Sequence, residues 1–162
     1  MMKSANEELP LQRIVSGGQT GVDRGALDAA IELGIEHGGW CPRGRLAEDG
    51  AIPLMYKLEE TAATAYAVRT AQNVIDSDGT LILYRDLLSG GTELTRRLAL
   101  RYDRPLLQID LNDDPTVQPV RDWLTEHRIV TLNVAGPRES TSPGIEAAAK
   151  AFVRLVFENA EP

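Results

Sequence analysis

The sequence is poor in cysteine and histidine, and each shortage excludes a class of protein. Its 162 residues include one cysteine, Cys41, and two histidines. A single cysteine forms no disulfide within the chain and supplies no cysteine-rich zinc site, so we expect a reducing compartment, the cytoplasm. Because His37 and His127 lie far apart in the sequence and match no spacing of metal ligands, no metal site is predicted.

Long hydrophobic runs and an excess of basic charge are also missing. No apolar run approaches the ~20 residues that a membrane-spanning helix needs, and residues 1–10 lack the apolar core of a signal peptide. Seventeen basic and twenty-four acidic residues give a net charge of −7. An acidic chain argues against general binding of nucleic acids or anionic membranes, so neither partner is expected.

The remaining composition is that of one ordinary globular domain. Hydrophobic residues make up 43% of the chain and charged residues 25%, a balance that excludes disordered and collagen-like chains. The length also suits one domain. We expect a single domain over residues 11–160, preceded by a flexible tail over residues 1–10.

Short apolar runs alternate along the chain with longer segments of helical spacing. The predicted strands occupy residues 11–16, 35–40, 79–84, 105–111 and 129–135. The predicted helices occupy residues 24–33, 59–75, 92–102, 117–127 and 145–157, and residues 41–54 are expected to form a long loop. Alternating strands and helices form right-handed βαβ units, so the sequence predicts an α/β fold with a parallel sheet covered on both faces.

Three glycine-rich turns each follow a predicted strand and precede a helix. In a parallel sheet such turns lie at the carboxyl edge, where helix N-termini present free N–H groups and partial positive charge. Glycine lets the backbone approach a phosphate, so the turns predict an anion-binding crevice. The alternative is that each turn needs glycine only for its own geometry. The turns are Gly17-Gly18-Gln19-Thr20-Gly21, Ser89-Gly90-Gly91-Thr92 and Gly136-Pro137-Arg138-Glu139-Ser140.

Arginine residues lie near these turns despite the acidic total. Arg138 is within the last turn and Arg43 is within the long loop. A guanidinium group binds phosphate through two parallel hydrogen bonds, so both are candidate ligand contacts. Tyr66, Arg69 and Asn73 recur at i, i+3 and i+7 and therefore share one polar helix face. That face points either at the carboxyl edge of the sheet or at solvent.

Five segments of the sequence resemble the putative molybdenum carrier family. They are GGQTGVDRGALD (residues 17–28), GWCPRG (39–44), DSDGTL (76–81), GGTELT (90–95) and NVAGPRES (133–140). The family is described as a circularly permuted branch of the SLOG superfamily of Rossmann-like nucleotide-binding proteins. The resemblance implies a Rossmann-like three-layer sandwich, a phosphorylated ligand such as molybdenum cofactor (molybdopterin) or a nucleotide, and a homo-oligomer, dimer or higher.

The glycine turns and the nearby arginines define the expected ligand-binding set. Its members share a place in a glycine turn or a guanidinium group close to one. They are Gly17, Gly18, Gln19, Thr20, Gly21, Arg43, Arg69, Gly90, Gly91, Thr92, Gly136, Arg138 and Ser140.

The permutation implies a specific strand order. The strand over residues 129–135 takes the place of the superfamily's first strand, in the middle of the sheet. Numbered along the chain, the strand order is then 2-1-5-3-4, and the three glycine turns follow neighbouring strands and converge on one crevice. Apolar residues on both faces of this fifth strand favour a central position. They are Ile129, Val130, Leu132 and Val134.

A hydrolase is the alternative function. The superfamily includes the lonely-guy type phosphoribohydrolases, whose arginine nine residues before an aspartate is similar to Arg69 and Asp78 here. The glutamates of that group fall on Leu94 and Thr95 of this sequence. Glu93 is one residue early, which turns its side chain by about 100° around a helix. The departure favours a binding protein over an enzyme.

Cleavage of an N-glycosidic bond through an oxocarbenium-like transition state needs a carboxylate near that bond. If the chain is an enzyme, we expect Glu93, Asp23 or Glu139 to supply this carboxylate. Arg69 would orient the ribose beside this carboxylate. Arg69 and Glu93 are therefore the candidate catalytic residues of the hydrolase alternative.

Overall fold

The computed structural model describes residues 8–158. Within them the strands are β1 (Arg13–Val15), β2 (Glu36–Gly38), β3 (Trp40–Cys41), β4 (Leu46–Ala47), β5 (Gly50–Ala51), β6 (Glu59–Glu60), β7 (Gly79–Tyr84), β8 (Leu106–Asp110) and β9 (Thr131–Ala135). The α-helices are α1 (Val22–Leu33), α2 (Tyr66–Ile75), α3 (Gly90–Arg101), α4 (Gln118–Glu126) and α5 (Ile145–Phe157). A short 3₁₀ turn covers Leu111–Asp113.

Five strands form one parallel sheet in the order β2-β1-β9-β7-β8. Numbered within that sheet, this is the predicted order 2-1-5-3-4, so the predicted α/β Rossmann-like fold and its permuted strand order are confirmed. Leu132 of β9 is paired with Ile14 of β1, and Asn133 of β9 is paired with Thr80 of β7. The fifth strand along the chain therefore lies at the centre of the sheet.

The helices pack in two groups, α1 with α5 and α4, and α2 with α3. The main core lies where the first group meets the sheet, and it includes Leu81 and Leu132 of the sheet with Phe152 of α5. Gly25 brings α1 and α5 close together, because a Cβ atom there would lie 2.4 Å from the carbonyl oxygen of Glu146.

The segment between β2 and α2 differs from the prediction. Glu59 and Glu60 form β6 rather than the start of a helix, and β6 pairs in parallel with β3. The helix begins only at Tyr66 because the N–H groups of Glu59 and Thr61 donate to carbonyls of the segment around β3. The predicted loop over residues 41–54 contains the β4–β5 hairpin.

Arg45 explains why this segment is ordered. Its guanidinium group donates hydrogen bonds to the carbonyl oxygens of Ile52, Pro53 and Tyr56 at 2.8 to 3.1 Å. A second, smaller core lies beneath it, and Ile52 and Tyr56 are buried there with Leu27 of α1. Contacts between distant residues therefore replace a continuous helix or strand in this part of the chain.

The expected tail and domain limits fall partly outside the described residues. Residues 1–7 of the tail and residues 159–160 of the domain lie beyond them. Leu9, which the structure does describe, packs partly buried against the main core. Over residues 8–158, no helix is both long and apolar enough to cross a membrane.

Candidate functional site

A crevice of about 430 Å³ opens at the carboxyl edge of the sheet, where the turns after β1, β7 and β9 meet. These three strands are neighbours, so the permuted strand order brings the glycine turns together. The crevice wall also includes Arg69 and Asn73 of α2. Two residues of the predicted polar face, Arg69 and Asn73, therefore lie at the carboxyl edge of the sheet, whereas the third, Tyr66, is half-buried and is not part of the wall.

Most of the expected ligand-binding residues line this crevice. They are Gly17, Gln19, Arg69, Gly90, Gly91, Thr92, Gly136, Arg138 and Ser140. The crevice wall does not include Gly18, Thr20, Gly21 or Arg43.

In the turn after β1, the backbone N–H groups that an anion would need already donate hydrogen bonds to side chains of the protein. Side-chain oxygens accept hydrogen bonds from the N–H groups of residues 18–21, at 3.0 to 3.4 Å. The acceptors belong to Ser16, Asp23, Gln19 and Glu146. A phosphate is therefore not expected to bind the backbone of this turn.

Thr20 and Gly21 instead join the turn after β1 to the turn after β9. The hydroxyl of Thr20 donates to the Glu48 carboxylate at 2.6 Å and accepts from the N–H of Glu139 at 3.2 Å. Gly21 has a φ of 82°, and a Cβ atom there would lie 2.2 Å from the carbonyl oxygen of Pro137. Thr20 and Gly21 therefore stabilise the two turns of the crevice wall without being part of the wall.

Arg43 and Glu93 also lie away from the crevice. Arg43 is exposed, and its backbone N–H donates to the carbonyl of Ala63. The Glu93 carboxylate accepts hydrogen bonds from Arg96 at 2.6 and 2.9 Å, and these lower its pKa. The one-residue displacement of Glu93 on α3 thus turns its side chain toward Arg96 and not toward the crevice.

The N-terminus of α3 presents free backbone donors to the crevice. Thr92 N–H donates to the carbonyl of Ser89, but within residues 8–158 the N–H groups of Gly90 and Gly91 have no acceptor. A Cβ atom on either glycine would meet nothing within 4 Å. The helix therefore begins in open space, with unpaired N–H groups and the positive end of its dipole.

Arg69 is buried in the crevice wall. Its Nη1 atom donates to the carbonyl oxygen of Gly17 at 2.6 Å and lies 4.0 Å from Oδ2 of Asp23. Its side chain is only 9% exposed. Arg69 is thus tied to the turn after β1 while it also lines the crevice.

Arg138 is half-buried on the same wall, and its guanidinium group, unlike that of Arg69, has no hydrogen-bond or salt-bridge partner among residues 8–158. Its guanidinium carbon lies 5.6 Å from the centroid of the Tyr66 ring. The guanidinium carbon of Arg69 lies 5.2 Å from the same centroid. No sequence spacing links Arg138 to Tyr66, so sequence analysis could not detect this pair.

Asp23 is the one carboxylate among the described residues of the crevice wall. Burial raises its pKa to about 6, although the Arg69 guanidinium and the N–H of Gln19 act in the opposite direction. The carboxyl group therefore gains or loses a proton close to neutral pH. Neither Glu93 nor Glu139, the other carboxylates considered for catalysis, lines the crevice.

Gln19 has a fixed amide orientation and one free donor. Its Oε1 atom accepts the N–H groups of Thr20 at 3.0 Å and Glu48 at 2.9 Å. Its buried Nε2 atom has no partner among the described residues. Since a buried polar group without a partner is costly, this nitrogen suits an acceptor supplied by a ligand or a water.

The amide of Asn73 serves the fold. Its Oδ1 atom accepts the N–H of Trp40 at 2.8 Å, and its Nδ2 atom donates to the carbonyl of Trp40 at 2.9 Å. Asn73 thus fixes β3 against α2. Across residues 8–158, no three His, Cys, Asp or Glu side chains are grouped so as to hold a metal ion.

Comparison with known proteins agrees with the resemblance found in the sequence. The chain matches the model of the circularly permutated YpsA SLOG family over residues 14–157. It is also similar to the crystal structure of a putative molybdenum carrier protein from Syntrophus aciditrophicus SB, with 43% sequence identity and a TM-score of 0.91. That match covers 94% of this chain and 99% of the other. A search of curated proteins gives no match. Because the family model spans nearly all of the described residues, the chain belongs to the circularly permutated YpsA SLOG family.

Proposed function

We propose that the protein binds and carries a small phosphorylated ligand in this crevice, either molybdenum cofactor (molybdopterin) or a nucleotide. The observation that carries the proposal is the open N-terminus of α3, where the N–H groups of Gly90 and Gly91 have no described acceptor. A helix N-terminus of this kind favours an anion. The name of the similar crystal structure, a putative molybdenum carrier protein, supports a ligand-carrying role.

The local charge of the crevice also favours an anion. The whole chain is acidic, with a net charge of −7. The crevice wall nevertheless includes two arginines, Arg69 and Arg138, and one carboxylate, Asp23. Each charge-assisted hydrogen bond to a phosphate contributes roughly 1.5–3 kcal/mol. The charge of the site is therefore opposite to that of the chain.

The remaining wall suits the ring of a pterin or a purine. Such a ring carries hydrogen-bond donors and acceptors along one edge. Asp23 offers an acceptor and Gln19 Nε2 an unused donor, and both residues line the crevice. The volume of about 430 Å³ lies within the range of roughly 300–1,000 Å³ typical of small-molecule sites.

Calorimetric titration tests this function directly. Nucleoside monophosphates and diphosphates should bind, and the matching free nucleosides should bind at least tenfold more weakly. Arg138→Gln should remove most of this preference, whereas Arg101→Gln on the outer part of α3 should keep it. Equal affinity for nucleotide and nucleoside would contradict the proposal. Native mass spectrometry of protein from its own source would weigh any ligand that co-purifies.

A nucleotide hydrolase is the second candidate function, and Asp23 is the observation that favours it. The carboxyl group of Asp23 lines the crevice beside Arg69 and has a pKa of about 6. A group of this kind can donate a proton to a leaving base. Incubation with a panel of nucleoside monophosphates should then release free base, and Asp23→Asn should abolish the release. A carrier releases none.

The family resemblance also leads us to propose a homo-oligomer, dimer or higher, in the cytoplasm. Light scattering coupled to size-exclusion chromatography measures the mass of the assembly. A monomer at micromolar concentration would contradict the proposed assembly.

A further inference from the structure

Tyr66, the first residue of α2, lies within cation–π distance of two guanidinium groups. The guanidinium carbons of Arg69 and Arg138 are 5.2 and 5.6 Å from the centroid of its ring. The face of an aromatic ring attracts a cation within about 6 Å of its centroid. One ring therefore stabilises two like charges that would otherwise repel one another across the crevice wall.

The two arginines depend on this ring to different degrees. Arg69 is also held by the carbonyl of Gly17 and lies 4.0 Å from the carboxylate of Asp23. The guanidinium group of Arg138 has no hydrogen bond or salt bridge to any residue that the structure describes, so the Tyr66 ring is its main described contact. A guanidinium group has five N–H donors, and those of Arg138 donate to no residue between 8 and 158.

A competing carboxylate, that of Glu48, accepts a hydrogen bond from the N–H of Ser140 at 3.4 Å, two residues along the chain from Arg138. Hydrogen bonds from Ser140 and Thr20 lower the pKa of Glu48, and the positive charge of Arg138 contributes to the same shift. Glu48 and Arg138 nevertheless form no salt bridge. Without the Tyr66 ring, the guanidinium group of Arg138 could form a salt bridge with Glu48. Its N–H donors would then no longer be available to a ligand.

We propose that Tyr66 is a positioning residue: its ring holds the unpaired guanidinium of Arg138 on the crevice wall, where Arg138 and Arg69 together bind the phosphate oxygens of the ligand. The inference deepens the proposed function and depends on it. Tyr66 acts through Arg138 and does not itself contact the reacting or bound atoms. The chemical class of ligand group is a phosphate or diphosphate with at least two negative charges.

Binding of inorganic pyrophosphate to the full chain, measured by calorimetry, tests the inference. Tyr66→Phe keeps the ring and should bind within about twofold of the wild type. Tyr66→Leu removes the ring and should bind about five- to tenfold more weakly. The matched control is Tyr102→Leu, because Arg101 lies 5.9 Å from the Tyr102 ring in a similar pair outside the crevice. This control should bind like the wild type.

A double-mutant cycle distinguishes positioning from a merely structural role. If Tyr66 acts through Arg138, Tyr66→Leu should weaken binding by less than about twofold once Arg138→Gln is present. Fully additive losses would overturn the inference. So would an equal loss in Tyr66→Phe and Tyr66→Leu, because the ring would then have no special part. If Tyr66→Leu does not fold, Tyr66→Met serves as the ringless variant.

Failure of this inference is distinguishable from failure of the proposed function. Unchanged pyrophosphate affinity in Tyr66→Leu, or no pyrophosphate binding by the wild type, overturns the positioning role alone. The proposed function stands or falls separately, on whether the wild type prefers nucleotides to the matching nucleosides.

Discussion

A Cβ atom at Gly17 would lie 2.3 Å from Nη1 of Arg69, so the glycine and the arginine are fitted to one another. The same nitrogen donates to the carbonyl oxygen of Gly17 at 2.6 Å. The first glycine of the turn after β1 therefore makes room for a buried guanidinium group of the protein itself. This explains its presence without a phosphate at that position.

Gly17→Ala should displace the guanidinium of Arg69 and destabilise the fold by about 2–4 kcal/mol. Arg69→Ala should cost about 2–3 kcal/mol, because it removes a charge-assisted hydrogen bond to a buried carbonyl. The double variant should lose less than the sum of the two losses, since both changes break one contact. Urea unfolding of the three variants measures this. Additive losses would show that the two residues act independently.

Gly21→Ala should destabilise the protein far more than Gly34→Ala. Both glycines have positive φ, 82° and 70°. A Cβ atom at Gly34 meets nothing within 4 Å, so only backbone strain of about 1–2 kcal/mol is expected there. At Gly21 it would also lie 2.2 Å from the carbonyl oxygen of Pro137, and we expect a loss of more than about 3 kcal/mol. Similar midpoints of urea unfolding for the two variants would contradict this.

Gly91→Ala separates ligand binding from stability. Its Cβ atom would enter open space at the N-terminus of α3, and alanine favours a helix over glycine by about 1 kcal/mol. The melting temperature should therefore stay constant or rise. Pyrophosphate affinity should fall at least tenfold if the phosphate rests against this N-terminus. Full affinity in the variant would place the phosphate elsewhere in the crevice.

Anion affinity should rise as the pH falls from 7.5 to 5. Asp23, with its pKa near 6, is ionised at the upper limit and offsets the charge of Arg69, 4.0 Å away. Protonation removes this offset, so the crevice becomes more positive. Sulfate is the suitable probe because its own charge is constant over this range. Asp23→Asn should bind sulfate equally well at both limits, and a pH dependence that persists in the variant would exclude Asp23 as its source.

The same carboxyl group should make stability depend on pH. Its pKa in the folded protein lies above the usual 3.8, so its stabilising contribution is complete below pH 3.8 and is lost as the pH rises through about 6. The loss amounts to about 3 kcal/mol by pH 7. Asp23→Asn should therefore raise the free energy of unfolding relative to the wild type more at pH 7 than at pH 4. An equal difference at both pH values would contradict the raised pKa.

The strand order could be predicted because the motif at residues 133–140 carries the permutation. The buried run of β7 and the Ala-rich α5 were also clear in the sequence, and α5 has the predicted bounds. The predicted helix start over residues 59–65 was wrong because Glu59 and Glu60 pair with β3, and the turns over residues 45–56 could not be predicted because the guanidinium of Arg45 holds them through backbone carbonyls. The local pattern of the sequence does not indicate such contacts.

Part of the candidate site could likewise be predicted from the sequence, and part could not. The glycine turns indicated the crevice, because their positions after strands are visible in the sequence. The use of the Gly21 N–H by Glu146, 125 residues away, was not visible. Neither was the contact of Arg138 with Tyr66, which joins the turn after β9 to α2. Tertiary contacts thus decide whether the N–H groups of a glycine turn are free for a ligand or are already bonded to other parts of the protein.

The central place of β9 has a consequence for synthesis on the ribosome. The chain must be translated as far as residue 135 before β1 and β7 have a common neighbour. Until then β2-β1 and β7-β8 are separate ribbons, each with an open edge where β9 will pair. Such edges readily pair with foreign strands. Between residue 110, where β8 ends, and residue 135, the nascent sheet therefore consists of two incomplete halves, and the insertion of β9 both joins them and creates the crevice.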